Sequence, residues 1–397
     1  MTTNTMTMER EHFRFRNSYL SYFMMYSFYY LSWALFSALI SVYLMGLGFS
    51  GTEVSLVVSA SYLSSMIAQP FIGTASDRFG IKKVNLVLFL LAALGGIFFM
   101  TSRSLITIAV SYSFVLLLIN GANPTMERIA SCSPYSYGKI RIWGTIGYAL
   151  GSQLAGLIYD YISASAIFKV FVVTMIAAVI GTYGTEPSFE TGETESAEKV
   201  SPVTLLMNKK YLYYLAVYGL YSGIASMCNT YAPSFFTSEG LSASLTSTIL
   251  SLAVMCELPL ILFSWMFMDK IPSKVLILTA VGVTVLQFAS YGLNLPLPVQ
   301  IIATFVAKHP MGMLLIMTNL KVVNSIVDQK IQITALAVVA AVKSLTGILF
   351  QTAGGAVLDA CGYQNLFLIF TGALVLVLAM ASFMKLPSGN NSGLFKK

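Results

Sequence analysis

Long runs of apolar residues alternate with short polar turns along this chain of 397 residues. A helix that crosses a bilayer needs roughly 20 consecutive, mainly apolar residues. Twelve runs are long enough, and the pattern predicts one membrane-spanning helix in each. The predicted spans are 18–45, 54–75, 84–102, 104–128, 141–160, 165–185, 211–235, 242–266, 274–294, 299–322, 331–358 and 364–385.

The composition agrees with membrane burial of these runs. Hydrophobic residues make up 56% of the chain and charged residues only 10%, whereas soluble globular domains carry about 25% charged residues. There are too few charged side chains to cover the folded chain with a hydrated surface. The sequence therefore predicts an all-α integral membrane protein whose natural solvent includes a lipid bilayer.

The lysines and arginines collect at alternate turns. Eighteen of the 23 lie near the termini or after even-numbered spans, while the opposite turns hold only Arg103 and Lys169. Loops rich in these residues remain in the cytoplasm. We therefore expect a multi-pass protein of the cell membrane with both termini in the cytoplasm. The net charge of +7 then reflects topology, and we expect no nucleic-acid partner.

A polar segment divides the chain into two halves. Residues 186–201 contain five glutamates among Ser, Thr, Gly and Pro, a composition typical of a flexible linker. We predict an N-terminal six-helix bundle at 1–185, a cytoplasmic linker at 186–210, and a C-terminal six-helix bundle with a short tail at 211–397. The predicted fold is twelve transmembrane helices in two pseudo-symmetric six-helix bundles.

Two short phrases recur half a chain apart. The phrase GLIYD at 156–160 is followed 199 residues later by GAVLD at 355–359. Charged turns follow span 2 (FIGTASDRFGIKK, 71–83) and span 8 (MFMDKIPSK, 266–274). Transporters built from repeats bind substrate between the repeats, and we predict that these charged turns gate the rocking of the halves. The candidate gating residues are Gly73, Asp77, Arg78, Gly80, Lys82, Asp269 and Lys270.

Six ionisable residues lie inside predicted spans, where a charge costs at least ~2.5–3.5 kcal/mol and usually faces a cavity. Glu127 and Arg141 each lie seven residues from Pro134, the midpoint of the turn between spans 4 and 5. At about 1.5 Å per residue, both are roughly 10 Å deep on antiparallel helices. They can either pair and lock the two spans together, or open to bind a polar substrate.

The other four ionisable residues lie in the C-terminal half. Glu257 is mid-span, where a desolvated carboxylate can exchange protons near neutral pH; a hydrogen bond between helices is the alternative role. Lys343 needs an anionic partner, and Glu257 is one option. Lys308 and His309 precede Pro310, which predicts a break in span 10. His309 is either a pH switch or a structural histidine.

Aromatic residues and cysteines complete the candidate chemistry. Tyr148 lies seven residues beyond Arg141, about two turns along the same helical face, and can stack on a ligand ring. For Tyr26–Tyr30 we predict helix packing. The four cysteines have no CxxC spacing, so we expect neither a disulfide framework nor a metal site. The sequence has no ATP-binding motif, and we expect no cofactor.

The charged turn after span 2 resembles the loop between spans 2 and 3 of the major facilitator superfamily, and the turn after span 8 is similar to its degenerate repeat. Residues 123–128 (NPTMER) and 137–148 (YGKIRIWGTIGY) resemble the oligosaccharide/proton symporters, the lactose permease-like family, and their nucleoside-transporting relatives. The resemblance runs from span 1 to the residues before span 12.

The resemblance implies roles for individual residues. Glu127 and Arg141 match the residues with which the family binds sugar hydroxyls. Tyr148 matches the position of a tryptophan that stacks on the sugar ring. Glu257 matches a glutamate that joins sugar binding to protonation, and Lys343 matches a lysine of span 11. The predicted substrate-binding residues are therefore Glu127, Arg141, Tyr148 and Glu257.

Three family positions differ in this chain. Span 10 lacks the glutamate that carries the proton, Gln287 stands where span 9 has an arginine, and Asn229 stands where span 7 has an aspartate. Glu257 is then the remaining mid-span carboxylate of the C-terminal half, and we expect it to carry the coupling proton. The candidate coupling residues are Glu257, His309, Lys308 and Lys343.

Together these features predict a secondary transporter that moves a small hydroxylated solute, such as a sugar or glycoside, by proton-coupled alternating access. The alternatives are a transporter of nucleosides or amphipathic drugs, and an uncoupled uniporter. A membrane enzyme is disfavoured because the chain has only two histidines and no visible nucleophile–base cluster. We expect the solute, protons and lipid as partners, and a monomeric protein.

Overall fold

The computed structural model describes residues 15–186, 205, 207–328 and 331–386. The predicted linker lies largely outside these residues, so its extent stays a prediction. The N-terminal half contains α1 Tyr19–Ser37, α2 Ile40–Gly46, α3 Gly51–Phe79, α4 Ile81–Thr101, α5 Leu105–Ser131, α6 Tyr137–Tyr161 and α7 Ala166–Gly184. The C-terminal half contains α8 Lys209–Ser238, α9 Ala243–Met255, α10 Glu257–Leu262, α11 Ser264–Phe267, α12 Ser273–Gly292, α13 Leu297–Ala307, α14 Pro310–Ile326 and α15 Gln332–Phe383.

These helices make the twelve predicted crossings. Nine stretches of the described residues are long and apolar enough to span a bilayer. The last stretch has 50 residues and makes two crossings, because Gly362 interrupts α15 with a non-helical φ of 76° and ψ of 176°. The remaining two crossings are α6 and α8, with 25 and 30 residues. Their sequences are more polar because both helices line the cavity described below.

Two spans break at the membrane depth where ionisable residues lie. Span 10 breaks between α13 and α14 at Lys308 and His309, as the following Pro310 predicts. Span 8 breaks after α9, and Glu257 is the first residue of α10. The break in span 8 was not among the predictions. Discontinuous helices of this kind place backbone and side-chain polar groups at transporter binding sites.

One end of the molecule is closed by two aspartates that reach across the halves. The Asp359 carboxylate, in α15, accepts hydrogen bonds from the backbone N–H groups of Gly51 and Thr52, at 2.6 and 2.8 Å. Asp160, near the end of α6, accepts one from the N–H of Ser244 at 2.6 Å. Both carboxylates therefore cap the first turn of a helix in the other half, where the helix dipole favours negative charge.

The glycines of the same repeated phrases allow the close approach. A Cβ placed on Gly156 would lie 2.5 Å from the carbonyl oxygen of Ala243, and one on Gly355 would lie 2.5 Å from that of Gly51. Any larger residue would push the halves apart at this end. The two phrases GLIYD and GAVLD are therefore a pair of symmetric closing contacts, a role that their repetition alone did not reveal.

Hydrogen bonds between the halves are concentrated toward this closed end. Among the described residues, these bonds join residues 45–59 or 149–160 to residues 231–251 or 348–363. Two further bonds lie deeper, between Thr145 and Glu257 and between Tyr62 and Ser226. The opposite end, which carries Asp77 and Asp269, has no such bond among the residues described. The space between the halves therefore opens toward the end with the charged turns.

The two charged turns differ in structure. α3 remains helical through Phe79, so Asp77 and Arg78 lie in its last turn, and both are exposed. Gly80 reverses the chain with a φ of 90°, and Lys82 donates to the carbonyl oxygen of Thr185.

The second turn is held from beneath by span 10. Lys321 is buried and donates to the carbonyl oxygens of Met268 and Ile271, at 2.6 and 2.8 Å. These two carbonyls flank Asp269 and Lys270, so Lys321 fixes the backbone around them. The gating role of both turns stays a prediction.

Candidate functional site

Three adjoining compartments form a central cavity between the halves, and all three are lined by His309. The aromatic compartment, of about 220 Å³, is lined by Trp33, Tyr62 and Tyr148. The arginine compartment, of about 190 Å³, is lined by Arg141 and Glu257. The third, the lysine compartment, also of about 190 Å³, is lined by Lys308, Lys343, Asn229 and Glu257.

Glu127 is held by three tyrosine hydroxyls. Its Oε1 accepts from Tyr26 at 2.7 Å and from Tyr30 at 3.0 Å, and its Oε2 accepts from Tyr137 at 2.7 Å. Asn123, one turn earlier on α5, donates to the Tyr30 oxygen at 3.2 Å. A carboxylate with this many donors is fixed in one orientation before any ligand arrives.

Arg141 lies beside this cluster on α6 but does not form an ion pair with Glu127 in the structure as described. Its guanidinium carbon is 5.7 Å from the centre of the Tyr30 ring, and the side chain lines the arginine compartment. The locked pair that equal depth allowed is therefore not formed. The guanidinium keeps its donors available toward the cavity.

Glu257 connects the two halves at the base of the arginine compartment. The Thr145 hydroxyl, on α6, donates to its Oε1 at 3.2 Å. The position of Glu257 at the start of α10 follows from the break in span 8. The carboxylate lines a common compartment with Arg141, so one solute can contact both charged groups.

The lysines of the cavity do not meet carboxylates. Lys308 donates to the side-chain oxygen of Asn229 at 2.9 Å. Lys343 lines the same compartment as Glu257, yet within the described part of the chain the two form no ion pair. The pairing of Lys343 with Glu257, which the sequence left as an option, is therefore absent in this conformation.

Tyr148 lines both the aromatic and the arginine compartments, so a solute in either one can contact its ring. Its ring centre is 6.5 Å from that of Trp33 and 6.4 Å from that of His309, with both pairs edge-on. Neither neighbour is stacked parallel to the Tyr148 ring. Gln287, at the position of the family's arginine, is buried away from these compartments and donates to Tyr291 at 2.8 Å.

Comparison with known proteins identifies the family. A family model described as the MFS_1 like family matches residues 19–369. The chain belongs to this family. Among relatives, the sucrose permease of Escherichia coli is 23% identical and the match covers 93% of this chain and 94% of the permease. The maltose permease of Geobacillus stearothermophilus is 26% identical, with 88% and 92% covered.

Solved structures agree on the architecture of this MFS_1-like chain. A mutant of the nucleoside transporter NupG has a TM-score of 0.82 at 16% identity, and the match covers 92% of this chain and 99% of that protein. Similarity at this identity shows the fold alone. It confirms the prediction of a major facilitator fold with two six-helix bundles.

The structure adds residues that the sequence reasoning missed. Tyr26 and Tyr30 pack together, with ring centres 5.2 Å apart, but their hydroxyls also hold Glu127, which the packing prediction did not include. Trp33 lines two compartments. The signal was present, because positions i, i+4 and i+7 share one helical face. Asn120 and Tyr62 reach the aromatic compartment without a comparable signal.

Proposed function

We propose that this MFS_1-like protein is a secondary transporter that moves a sugar or a related hydroxylated solute by alternating access. The observation that carries the proposal is a polar cavity between two halves that touch at one end and separate at the other. Charged groups and aromatic rings in its walls are the groups that bind hydroxyls and stack on sugar rings. The relatives named above as sucrose and maltose permeases support a sugar as the solute.

The conformation is inward-facing on this proposal. Lysines and arginines crowd the turns at the open end, and such turns stay in the cytoplasm. The closed end, with Asp160 and Asp359, then faces outward. The Asp77 and Asp269 turns would control the rocking, so Asp77→Asn should slow transport more than it weakens binding. Equal losses of affinity and turnover would argue against a gating role.

The N-terminal half supplies the binding surface. A sugar hydroxyl inserted beside Arg141 would accept from its guanidinium, and a second would bond to the Glu127 carboxylate in place of a tyrosine. Tyr148 and Trp33 would cover the apolar face of the ring. Charge-assisted hydrogen bonds are shorter and roughly twice as strong as neutral ones. These four residues therefore set affinity and orientation.

The C-terminal half supplies the coupling on this proposal. Glu257 shares a compartment with Arg141 and receives a hydrogen bond from Thr145, so solute and proton compete at one carboxylate. A solute that engages Arg141 changes the charge that Glu257 faces. His309, which borders all three compartments, would relay the proton.

Uptake into proteoliposomes tests the proposal. Purified protein would be assayed with radiolabelled sucrose, maltose and monosaccharides, with and without an inward proton gradient. Accumulation of a sugar that depends on the gradient is expected. Uptake without any dependence on the gradient would make the protein a uniporter.

Nucleosides are the second candidate, because the fold is similar to that of NupG and a base would also stack on Tyr148. Uptake of a labelled sugar in the presence of excess uridine or adenosine separates the two. Strong uptake of nucleoside with none of sugar would replace the sugar proposal.

A further inference from the structure

The lysine compartment carries two lysine side chains that form no ion pair among the described residues, although the Glu257 carboxylate lines the same space. Lys308 and Lys343 both line this space of about 190 Å³, and neither forms an ion pair with any residue that the structure describes. Charged groups in membrane proteins normally pair with one another or with backbone carbonyls. An unpaired buried charge is strongly unfavourable, so these two ammonium groups indicate that an anion arrives from outside the protein.

The carboxylates of the cavity are already engaged elsewhere. The Glu127 carboxylate accepts hydrogen bonds from three tyrosine hydroxyls. The Glu257 carboxylate accepts one from the Thr145 hydroxyl and lines the same compartment as Arg141. The lining of the three compartments thus holds three basic side chains (Arg141, Lys308 and Lys343) and one carboxylate, that of Glu257. The excess cation lies on the C-terminal side.

The residue at 229 explains why this excess exists. The ammonium of Lys308 is oriented by the Asn229 side-chain oxygen at 2.9 Å, which is a neutral acceptor. An aspartate there would accept the same bond and cancel the charge. The amide holds the lysine in place and leaves its positive charge unbalanced, which suits a site that binds an anion and releases it.

We propose that the transported solute is an acidic sugar, whose anionic group binds between Lys308 and Lys343 while its hydroxylated ring lies against Arg141 and Tyr148. This inference rests on the proposed sugar transport and narrows its substrate class. The anionic oxygens belong to a carboxylate, as in a uronic acid, or to a phosphate ester. Two lysine ammonium groups can bind a carboxylate or a phosphate, because a compact ammonium charge does not demand the planar two-point geometry of a guanidinium.

Matched solute pairs test the inference by counterflow, which requires no net proton movement. Glucuronate is compared with glucose, and methyl glucuronide with methyl glucoside; glucose 6-phosphate distinguishes phosphate from carboxylate. Proteoliposomes containing the full chain are loaded with each unlabelled solute, and labelled solute is added outside. The acidic member of each pair should be preferred at least about 10-fold, since hydrogen bonds to charged groups are the stronger class.

Variants connect the preference to the lysines. Lys343→Gln and Lys308→Gln should each lower the ratio of acidic to neutral affinity about 10-fold, and Lys343→Arg should restore most of it. Asn229→Asp, which neutralises Lys308 without removing it, should lower the ratio as well. Lys209→Gln, an exposed lysine at the start of α8, is the control and should change nothing.

The outcomes separate this inference from the broader proposal. If sucrose, maltose or glucose exchanges while no acidic sugar does, the sugar-transport proposal stands and the anion site is wrong. The anion site is also wrong if acidic sugars exchange but their preference survives both lysine variants. If only acidic members exchange, the substrate class is narrowed as stated. If no sugar of either kind exchanges, the transport proposal fails and this inference fails with it.

Discussion

The two walls of the central cavity treat charge in opposite ways. On the N-terminal side, Tyr30 and Arg141 line the cavity with the Arg141 guanidinium 5.7 Å from the centre of the Tyr30 ring, and the Tyr30 hydroxyl is one of three that donate to Glu127. In the C-terminal wall, Lys308 donates to the neutral amide of Asn229, and the Lys343 side chain forms no ion pair among the described residues. The N-terminal wall is organised before any solute binds, whereas on our proposal an entering anion completes the C-terminal wall.

The largest expected effect comes from removing the charged groups of the N-terminal wall. Arg141→Ala and Glu127→Gln should each weaken sugar binding at least about 100-fold, because each removes charge-assisted hydrogen bonds that orient the ligand. Binding to purified protein is measured by isothermal titration calorimetry. The control is Arg128→Ala, which alters an exposed residue next to Glu127 on α5. Variants that bind normally but unfold more easily would show that the residues are structural.

The C-terminal wall is tested through proton coupling, which we propose that Glu257 carries. Glu257→Gln cannot take up a proton, so it should keep counterflow exchange but lose accumulation driven by a proton gradient. Uptake with and without the gradient is compared with that of Glu239→Gln, which alters an exposed carboxylate outside the cavity. Undiminished accumulation in Glu257→Gln would assign the proton to another group. If the wild type shows no proton movement at all, Glu257 is only a ligand or packing residue.

The closed end holds the two walls together, and weakening it should separate them there. Asp359→Asn loses the charge that caps α3 through two bonds, and Asp160→Asn loses a cap with one. We expect Asp359→Asn to shift the equilibrium toward the outward-open state about 10-fold, and Asp160→Asn less.

Distances across the closed end measure this shift. Spin labels at Arg103 and Leu293, in a background without the four native cysteines, report the separation of the halves. A longer distance should become populated in Asp359→Asn. Identical distance distributions in both variants and the wild type would show that these caps do not control the closed state.

The smallest effect concerns the donors around Glu127. Tyr137→Phe removes one of three hydroxyls, so the carboxylate becomes less fixed, and affinity for sugar should fall about 3- to 10-fold. Tyr135→Phe is the matched control, since its hydroxyl bonds to the Asn17 backbone outside the cavity. A loss as large as that of Glu127→Gln would mean that Tyr137 itself contacts the solute.

Run length and charge placement predicted most of the fold. The spans agree within a few residues because a bilayer of fixed thickness demands a minimum apolar length. The break in span 8 was missed, although Pro259 lacks the N–H that would bond to Met255. The closing role of Asp160 and Asp359 was beyond the sequence, because it depends on which helix of the other half faces each carboxylate.

The sequence indicated which residues line the cavity better than it indicated which groups they pair with. Ionisable residues inside spans could be recognised as candidates because a charge in lipid is costly and usually faces a cavity. Arg141, Glu257 and Lys343 do line the cavity. Which group each one meets depends on side-chain geometry between helices distant in sequence. Equal depth allowed Glu127 to pair with Arg141, but the tyrosines occupy the carboxylate instead.

Counterflow of a labelled sugar into wild-type proteoliposomes tests the central claim most directly, because it requires only a cavity that binds the solute and opens alternately to each side. Vesicles loaded with the unlabelled form should show a transient excess of labelled sugar inside, and vesicles with Arg141→Ala should show no such excess. Wild-type vesicles that show no excess with any sugar, neutral or acidic, would contradict the central claim.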